Sequence, residues 1–345
     1  MASADPMSVI SGMATMATGR RSWRLIAALV FCLGIGEDRG VIGSDEKPAA
    51  AAAQSKEPAD FDADRAYADL VKVCEIGPRI SGTEGMDQQQ QLLAEHFSKL
   101  GAKVQFQSFD ARHPVSGGAV RMNNMIISWH PEAAQRVLLC CHYDTRPLPD
   151  RDSDPNLASR GRFLGANDGA SGVALLMEMG RHLPTLETTY GVDFVFFDGE
   201  ELVYGEKDEY FLGSTHFARD YRARPPEHKY LFGVLVDMIG DKQLQLYQEI
   251  NSLKYAQQLT HSIWKTAKRL GIKEFVAKRK HEVRDDHLPL NKIAKIPTCD
   301  LIDFDYPHWH TTRDVPSACS GASLAKVGRV LLAWLQEVPE PARKK

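Results

Sequence analysis

The stretches RVLLCCHYD (136–144), VDFVFFDGEE (192–201) and LFGVLVDMIGD (231–241) decide the fold of this chain. Each is a run of apolar, often β-branched residues that ends in a polar residue able to bind a metal ion or carry a proton. Such runs are typical of strands buried on both faces of a parallel sheet. In an open α/β sheet, ligands bind beyond the carboxyl ends of these strands. The sequence therefore predicts a parallel sheet with a functional site along one edge.

Helical and extended segments alternate around these three strands. The helical segments have apolar residues at helical spacing and cover residues 61–77, 85–100, 169–182, 251–270 and 323–335. Further extended segments cover residues 104–109, 124–129 and 298–305. This alternation predicts a single-domain α/β fold, in which a mixed, largely parallel, twisted sheet carries helices on both faces.

Composition is compatible with one catalytic domain and excludes nucleic acid as a partner. The chain has 345 residues, 43% of them hydrophobic, and a net charge of -3. Its basic residues are dispersed among acids, whereas a phosphate backbone demands a basic patch. The predicted organisation is a signal-like or membrane-anchor segment (1–36), a disordered Ala/Pro-rich linker (37–58), a catalytic domain (59–338) and a tail (339–345).

The N-terminus resembles a signal sequence. Arg20, Arg21 and Arg24 precede an apolar run at 25–36, which is the order of charged and apolar regions in such a signal. The run is shorter than the roughly 20 apolar residues that a membrane span requires. We therefore expect an exported protein, periplasmic or secreted, or one tethered to a membrane at its N-terminus. The alternative is a disordered extension of a cytosolic protein.

Five stretches that are far apart in the sequence each contain a residue able to bind a hard metal ion, or a carboxylate next to such a residue. They are CHYDT with His142, GANDGASG with Asp168, FFDGEE with Glu200 and Glu201, VDMIGD with Asp237, and HWHTTRD with His310. A catalytic zinc ion takes about three protein ligands and keeps one position open. Asp168, Glu201 and His310 suit that role. The combination predicts a zinc hydrolase or transferase.

The consecutive residues Glu200 and Glu201 are predicted to have different roles. Their side chains should diverge after the end of a strand, so that Glu201 binds metal while Glu200 carries a proton. Partial burial should raise the pKa of Glu200 toward the working range of a general base.

A resemblance to a known family covers nearly the whole predicted domain. The motifs IGPRISGTEG, CHYDT, GANDGASG, FFDGEE, FLGSTHFA, VDMIGD, RDDHLPL and HWHTTRD follow one another between Leu70 and Leu335. On these motifs the chain resembles the M28-type zinc aminopeptidases, and most of all the glutaminyl-peptide cyclotransferases, or glutaminyl cyclases. The resemblance implies the zinc aminopeptidase-like (phosphorylase/hydrolase-like) fold.

The resemblance also implies roles for individual residues. Asp168, Glu201 and His310 correspond to the ligands of a single zinc ion, Glu200 to the proton-shuttling acid, Asp237 and Asp285 to an acidic pair beside the reacting centre, and Trp309 to a tryptophan that flanks the substrate. In two-zinc aminopeptidases, the positions of His142 and Asp237 hold a second ion that is bridged by the residue matching Asp168. The number of zinc ions, one or two, therefore stays open.

Three functions follow as hypotheses. The first is cyclisation of N-terminal glutamine in peptides or proteins to pyroglutamate, with release of ammonia and one zinc ion. The second is hydrolysis of the N-terminal peptide bond with two zinc ions. The third is an inactive binding ectodomain, which leaves Glu200, the carboxylate beside the predicted ligand Glu201, without a purpose. Gly169, where aminopeptidases usually carry Asp or Asn, and the sequence from Trp309 to Thr311 favour the cyclase.

Two positions depart from the animal cyclases that the chain resembles. Glu206 stands where those enzymes supply a pocket tryptophan, and Asp300 replaces a histidine. These replacements imply a pocket wall that differs from that of the animal enzymes.

Overall fold

A computed structural model describes residues 60–338. The predicted signal-like segment (1–36), the linker (37–58) and the tail (339–345) lie outside the described residues, so these assignments stay predictions. Among the helices of residues 60–338, none combines the length and the apolar character needed to cross a bilayer.

A twisted central sheet organises the described part of the chain. Its strands are β1 (Lys103–Arg112), β2 (Ala119–Trp129), β3 (Gln135–His142), β4 (Gly191–Phe197), β5 (Lys229–Asp237) and β8 (Thr298–Ile302), and a separate parallel pair consists of β6 (Leu246–Gln248) and β7 (Phe275–Arg279). The order in the main sheet is β1-β2-β4-β3-β5-β8. Strands β4, β3, β5 and β8 run parallel, whereas β1 and β2 pair antiparallel at one edge. The predicted mixed, largely parallel sheet is confirmed.

The central strands are buried on both faces, as their unbroken apolar sequences predict. Every residue of β4 is buried, and in β3 and β5 only the first residue is exposed. Side chains alternate between two cores, so that Leu139 and Cys141 pack on one face of the sheet while Leu138 and Cys140 pack on the other. Burial on both sides requires that both faces be covered by other elements.

Helices cover both faces, which confirms that part of the prediction. They are α1 (Ala63–Ile76), α2 (Glu84–Lys99), α3 (Pro155–Arg160), α4 (Ala170–His182), α5 (Leu212–Ala223), α6 (Ile250–Arg269), the short turn α7 (His287–Pro289) and α8 (Gly321–Leu335). Helices α1, α2, α4, α6 and α8 contribute to the larger core, and α5 packs on the opposite face. Helix α4 lies close to the sheet because Gly172 has no side chain where a Cβ would meet Cys141 Cβ at 2.7 Å.

The structure differs from the sequence prediction chiefly between residues 202 and 223. Helix α5 has no predicted counterpart, because Phe211, which precedes it, is left-handed at φ 60° and no side chain caps its first turn. Its buried face consists mainly of small residues, so the apolar periodicity is weak. The short strands β6 and β7 were likewise not predicted, and β8 ends at Ile302 rather than continuing to residue 305.

Candidate active site

The polar residues that end β3, β4 and β5 meet at one edge of the sheet. Those that follow β4 and end β5 line a cavity of about 810 Å³ together with residues of the loops that follow β3 and β8 and precede α7. The cavity wall includes the predicted residues Asp168, Glu200, Glu201, Asp237, Asp285, Trp309 and His310. The structure thus brings together side chains that are separated by up to 142 positions in the sequence.

The three predicted zinc ligands form one compact group. His310 Nε2 lies 3.0 Å from Glu201 Oε1 and 3.5 Å from Asp168 Oδ2. All three residues are buried, and their ligand atoms lie within 4.8 Å of one another. The other oxygen of Glu201, Oε2, accepts a hydrogen bond of 2.9 Å from the backbone N–H of Arg146. Glu201 is therefore held in place with one oxygen directed at the other two residues.

This group fits a zinc ion. Ligand atoms around a tetrahedral zinc ion lie about 3.3–3.6 Å apart when each bond is about 2.0–2.2 Å long, close to the separations seen here. Asp168 Oδ2 is buried and has no hydrogen-bond partner within residues 60–338, although a buried carboxylate oxygen normally has one. Two carboxylates and one imidazole supply three protein ligands of the types that zinc accepts, which is the number found at catalytic zinc sites.

His310 is oriented from its second ring nitrogen. Nδ1 lies 3.3 Å from Asp150 Oδ1, and Asp150 in turn accepts hydrogen bonds from the Arg146 guanidinium at 2.7 and 2.9 Å. Burial lowers the pKa of His310, but Asp150 and Glu201 together raise it to about 9. A carboxylate on the far nitrogen of a metal-binding histidine fixes the orientation of the ring. The sequence analysis did not identify Asp150.

A second group overlaps the first through Asp168. His142 Nε2 lies 3.2 Å from Asp168 Oδ1 and 3.2 Å from Asp237 Oδ1, and the three residues form another buried candidate metal site. The two groups together therefore offer the ligands of a bridged pair of ions. Although burial works in the opposite direction, contacts with His142 and His310 hold the pKa of Asp168 below its ordinary value.

Glu200 and Glu201 do not diverge as predicted. Both line the cavity, and the ligand atoms of Glu200, Glu201 and His142 lie within 4.8 Å of one another. The alternation of a strand does not apply here, because β4 ends at Phe197 and Gly199 turns the chain with φ 73°. Burial and the adjacent Glu201 carboxylate raise the pKa of Glu200 well above its ordinary value, in the direction that the sequence analysis predicts.

Asp144 fixes the glutamate pair in this turn. Its two carboxylate oxygens accept hydrogen bonds from the backbone N–H groups of Glu200 at 3.1 Å and Glu201 at 3.0 Å. Asp144 is fully buried and follows β3 in the motif CHYDT. The sequence analysis quoted this motif for His142 alone, and the acid two positions later was the available signal.

Asp314 has the same function for the loop that carries Asp168. It accepts hydrogen bonds from the backbone N–H groups of Asn167 at 2.8 Å and Asp168 at 3.1 Å, and from the Tyr306 hydroxyl at 2.7 Å. Helix α4 begins directly after this loop, at Ala170. The acid that ends HWHTTRD was visible in the sequence but had no assigned role.

Two residues of the site have an unusual backbone conformation. Met238, which follows Asp237, has φ 47°, and His310 has φ 55°. A left-handed conformation of a non-glycine residue costs of order 1–3 kcal/mol and persists where the surrounding structure enforces it. These conformations support a functional role for both turns.

Asp237 and Asp285 are two buried acids of the same cavity. Burial raises the pKa of Asp237. Burial, followed by the charges of Asp237 and Asp286, raises the pKa of Asp285 well above its ordinary value. A cavity with this excess of carboxylates favours a bound cation and also retains protons that can be transferred at neutral pH.

Trp309 lies on the cavity wall beside His310. Its ring centroid is 4.3 Å from that of His310, and the Arg151 guanidinium lies 3.9 Å from the Trp309 ring centroid. Of the two positions that depart from the animal enzymes, Glu206 is exposed and lines the cavity. Asp300 is fully buried outside the cavity wall, with its Oδ2 3.6 Å from His287 Nδ1. Of these two positions, Glu206 is therefore the one that lies on the cavity wall.

The comparisons with known proteins agree with this geometry. The model of peptidase family M28 matches residues 124–335. The crystal structure of the glutaminyl cyclase of Fimbriiglobus ruber is similar to this chain, with a TM-score of 0.79, 42% identity, and coverage of 84% of this chain and 99% of that one. A leucine aminopeptidase precursor of Bacteroides thetaiotaomicron gives a TM-score of 0.78 and 32% identity, covering 83% of this chain and 100% of that structure.

A curated relative extends the similarity to an animal enzyme. The glutaminyl-peptide cyclotransferase of Drosophila melanogaster is 24% identical over 285 residues, which are 75% of this chain and 77% of the relative. The shared fold, the order of the motifs and the match to the family model across the site lead to one conclusion. This chain belongs to peptidase family M28 and is similar in sequence and structure to glutaminyl cyclases.

Proposed function

We propose that this protein cyclises the N-terminal glutamine of peptides or proteins to pyroglutamate and releases ammonia. In this reaction the α-amine nitrogen bonds to the γ-carbon of the same glutamine, and the bond from that carbon to the amide nitrogen breaks. The attacking group belongs to the substrate, so no water is consumed. The similarity to glutaminyl cyclases and the membership in family M28 support an enzyme of this type.

Glu200 is the proton carrier in this proposal. It accepts a proton from the α-amine as the new bond forms, and it donates that proton to the departing ammonia. A group with a raised pKa performs both transfers near neutral pH, and the pKa of Glu200 is raised by burial and by Glu201. Asp144 positions the carboxylate through the backbone N–H of Glu200.

Asp237 and Asp285 orient the substrate. Both are acids of the cavity wall and accept hydrogen bonds from the α-amine and from the leaving amide nitrogen. When the bound substrate is held with its α-amine against its γ-carbon, the activation barrier is lower, because the entropy of bringing the two groups together has already been lost on binding. Trp309 flanks the bound residue.

Asp168, Glu201 and His310 would hold a zinc ion. A bound zinc ion supplies Lewis-acid polarisation of the γ-carbonyl. The fit of the three ligands and the unpartnered oxygen of Asp168 support one ion at this position. The expected content is therefore one zinc per chain.

A single observation carries the choice of reaction. Glu200 and Asp285, two carboxyl groups with strongly raised pKa values, line the same cavity as the ligand group. One proton can thus be accepted and returned within the cavity while a second acid holds the amine.

A specific observation also favours a second candidate function. His142, Asp168 and Asp237 form a further candidate metal site, and the similar leucine aminopeptidase precursor has nearly the same fold. With two zinc ions, Glu200 would activate water for hydrolysis of the first peptide bond. The inactive ectodomain receives no such support, since both glutamates lie in the cavity.

The experiment that tests the proposal combines activity with metal content. The full chain is stripped with a chelator and titrated with zinc while ammonia release from a peptide beginning with glutamine is recorded. We expect activity to saturate at one zinc per chain. Saturation at two, with release of the first residue and no ammonia, would favour the aminopeptidase.

Export or membrane tethering through residues 1–36 remains part of the proposal. It rests on the arginines and the apolar run in the sequence. Fractionation of cells that produce the full chain tests it, and recovery with the cytosolic proteins alone would contradict it.

A further inference from the structure

A second cleft adjoins the candidate active site. It has a volume of about 870 Å³ and shares Tyr210, Phe211 and Arg284 with the wall of the active-site cavity. The two spaces are therefore neighbours across these three residues. None of the predicted site residues lines the second cleft.

The walls of this second cleft come from ordered elements. They are the end of β1 and the turn after it, the loop that leads to α5, and the first two turns of α5. The rings of Phe109 and His216 stack at 4.4 Å with an angle of 10° and form an aromatic part of the wall. Burial lowers the pKa of His216, which favours the neutral form of this ring.

Four cationic side chains line this cleft without a partner. Arg112, Lys207, Arg219 and Arg284 are exposed, and within residues 60–338 none of them has a hydrogen bond or ion pair to another side chain. Some other exposed arginines are paired, for example Arg224 with Asp220, whereas Arg222, Arg279 and Arg329 have no such partner within residues 60–338. The second cleft is therefore distinguished by the grouping of four such cations along one wall.

The carboxylates of the same cleft are largely engaged. Asp110 Oδ1 lies 3.2 Å from Arg121 Nη1, outside the cleft wall. Asp208 Oδ2 accepts hydrogen bonds of 2.9 Å from the backbone N–H groups of Tyr204 and Gly205. Glu209 is the remaining acid. The cleft therefore presents an excess of positive charge that is available to a ligand.

The active-site cavity has the opposite charge at its wall. Exposed Glu206 and Glu282 line it in addition to the buried acids. A peptide that enters with its α-ammonium group toward these acids continues past Arg284 into the basic cleft. Charge thus changes sign along the path of the substrate, which allows the enzyme to discriminate between peptides.

We propose that the second cleft binds acidic side chains of the peptide substrate, about three to four residues after the N-terminal glutamine. This inference rests on the proposed cyclase function and names its substrate class. A cavity of 810 Å³ is about 12 Å across if spherical, and an extended chain covers about 10–13 Å between its first and its fourth or fifth residue. The acids therefore reach the neighbouring cleft.

The test uses three peptides of equal length that differ only at residues 4 and 5, which are acidic, neutral or basic. They are the amides of Gln-Ala-Ala-Glu-Glu, Gln-Ala-Ala-Gln-Gln and Gln-Ala-Ala-Lys-Lys. We expect kcat/KM for the acidic peptide to exceed that of the neutral one by about fivefold at low salt, the size that two or three exposed ion pairs produce. The basic peptide should be the slowest. The preference should shrink as added salt screens the charges.

Variants assign the preference to the cleft. In the double variant Arg112→Ala with Arg219→Ala, the ratio of kcat/KM for the acidic to the neutral peptide should fall toward one, and Arg219→Glu, which changes the net charge of the cleft by the same two units, should lower this ratio to a similar extent. The double variant Arg279→Ala with Arg329→Ala is the matched control, since it removes two positive charges from exposed positions that line neither cavity. The control should keep the wild-type ratio, and thermal unfolding verifies that each variant is folded.

Two kinds of failure can be told apart. Equal kcat/KM for all three peptides, or a ratio that the control changes as much as the cleft variants do, would overturn the cleft assignment while leaving cyclisation intact. Absence of ammonia release from every peptide would instead reject the proposed function on which the inference rests.

Discussion

At the scale of single residues, Glu200 and Glu201 are adjacent in sequence but have different partners. Glu201 contacts His310 and the backbone of Arg146, whereas the carboxyl group of Glu200 lies at the cavity wall and has no hydrogen bond or ion pair within residues 60–338. Its backbone N–H is bonded to Asp144. The proposed roles, ligand for one and proton carrier for the other, follow from these contacts.

The substitution Glu200→Gln should separate the two roles. An amide keeps the size of the side chain but cannot accept the proton, so we expect ammonia release to fall by about 10²–10⁴-fold with zinc content unchanged. Metal analysis alongside the assay checks both parts. Glu201→Gln is the comparison and should lose zinc as well as activity. Full activity of Glu200→Gln would remove Glu200 from the mechanism.

Asp144→Asn should lower the affinity for zinc, although Asp144 is not one of the proposed zinc ligands. The substitution replaces one of the two oxygens that hold Glu200 and Glu201 by an amide donor, which faces another N–H group. Groups that orient metal ligands typically contribute 10–100-fold to metal affinity or activity, and we expect a loss of about that size in a zinc competition assay. Asp64→Asn, at an exposed position of α1, serves as control. Equal affinity in the two variants would contradict the positioning role.

Sequence reasoning identified the residues with direct chemistry and missed those that position them. Asp168, Glu201 and His310 stand in motifs whose residue types are typical of zinc ligands, and the structure brings them within 4.8 Å. Asp144 and Asp314 act by accepting backbone N–H groups from distant loops. A motif does not reveal which N–H group a carboxylate will face, because that depends on the fold.

At the scale of elements, the close packing of α4 on the sheet sets the position of Asp168. A Cβ at Gly172 would lie 2.7 Å from Cys141 Cβ and 2.8 Å from the carbonyl oxygen of Val236. Both contacts are closer than any real Cβ contact, and the second involves backbone that cannot move alone.

Gly172→Ala should therefore destabilise the domain. Overpacking a well-filled interior typically costs about 1–3 kcal/mol, and we expect the free energy of unfolding in urea to fall by this amount. Activity should fall as well, because α4 would move away from the sheet together with the loop that carries Asp168. Gly118→Ala is a useful contrast, since a Cβ there would make an ordinary contact of 3.6 Å with Ser116 Oγ. A variant as stable as wild type would refute the close packing.

Glu178 links α1 to α4, and this contact should make the free energy of unfolding depend on pH. Its carboxylate is buried and accepts hydrogen bonds of 2.7 and 2.6 Å from Arg65. Burial raises the pKa of Glu178, but His182 and Arg65 lower it to about 2. The unfolded chain has a pKa of about 4.3 for glutamate, so the stabilisation is complete above that pH and is lost as the pH falls toward 2.

The substitution Glu178→Gln tests this link. We expect the free energy of unfolding at pH 7 to fall by about 1–3 kcal/mol, less than for a fully buried pair because the Arg65 side chain is 45% exposed. The difference in the free energy of unfolding between wild type and variant should become smaller as the pH falls from about 4 toward 2. Urea titrations at several pH values measure it, and a gap independent of pH would contradict the assignment.

Elements with long, unbroken apolar sequences were predicted well, and α5 was not. Strands β3, β4 and β5 are buried on both faces, so their sequences are apolar throughout. Helix α5 packs against the sheet through Gly213, Ser214, Phe217 and Ala218, and small residues give little apolar periodicity. Its first residues line the basic cleft, which explains why this cleft could not be foreseen.

At the scale of the whole molecule, the fold and the class of enzyme followed from the sequence. The mixed sheet with helices on both faces was predicted from strand composition and from the resemblance, and the relatives share it. The arrangement of charge, acidic in the active-site cavity and basic in the neighbouring cleft, arises from loops that only the folded chain brings together. Its consequence for substrate choice is therefore an inference from structure.

The central claim is that the nucleophile belongs to the substrate and not to water. The most direct measurement incubates the zinc-loaded full chain with the Gln-Ala-Ala-Glu-Glu amide in water enriched in a heavy oxygen isotope and reads the products by mass spectrometry. Cyclisation predicts an intact peptide that is lighter by one ammonia and contains no heavy oxygen. Free glutamine that carries heavy oxygen in its new carboxyl group, together with the shortened peptide, would contradict the account and identify an aminopeptidase.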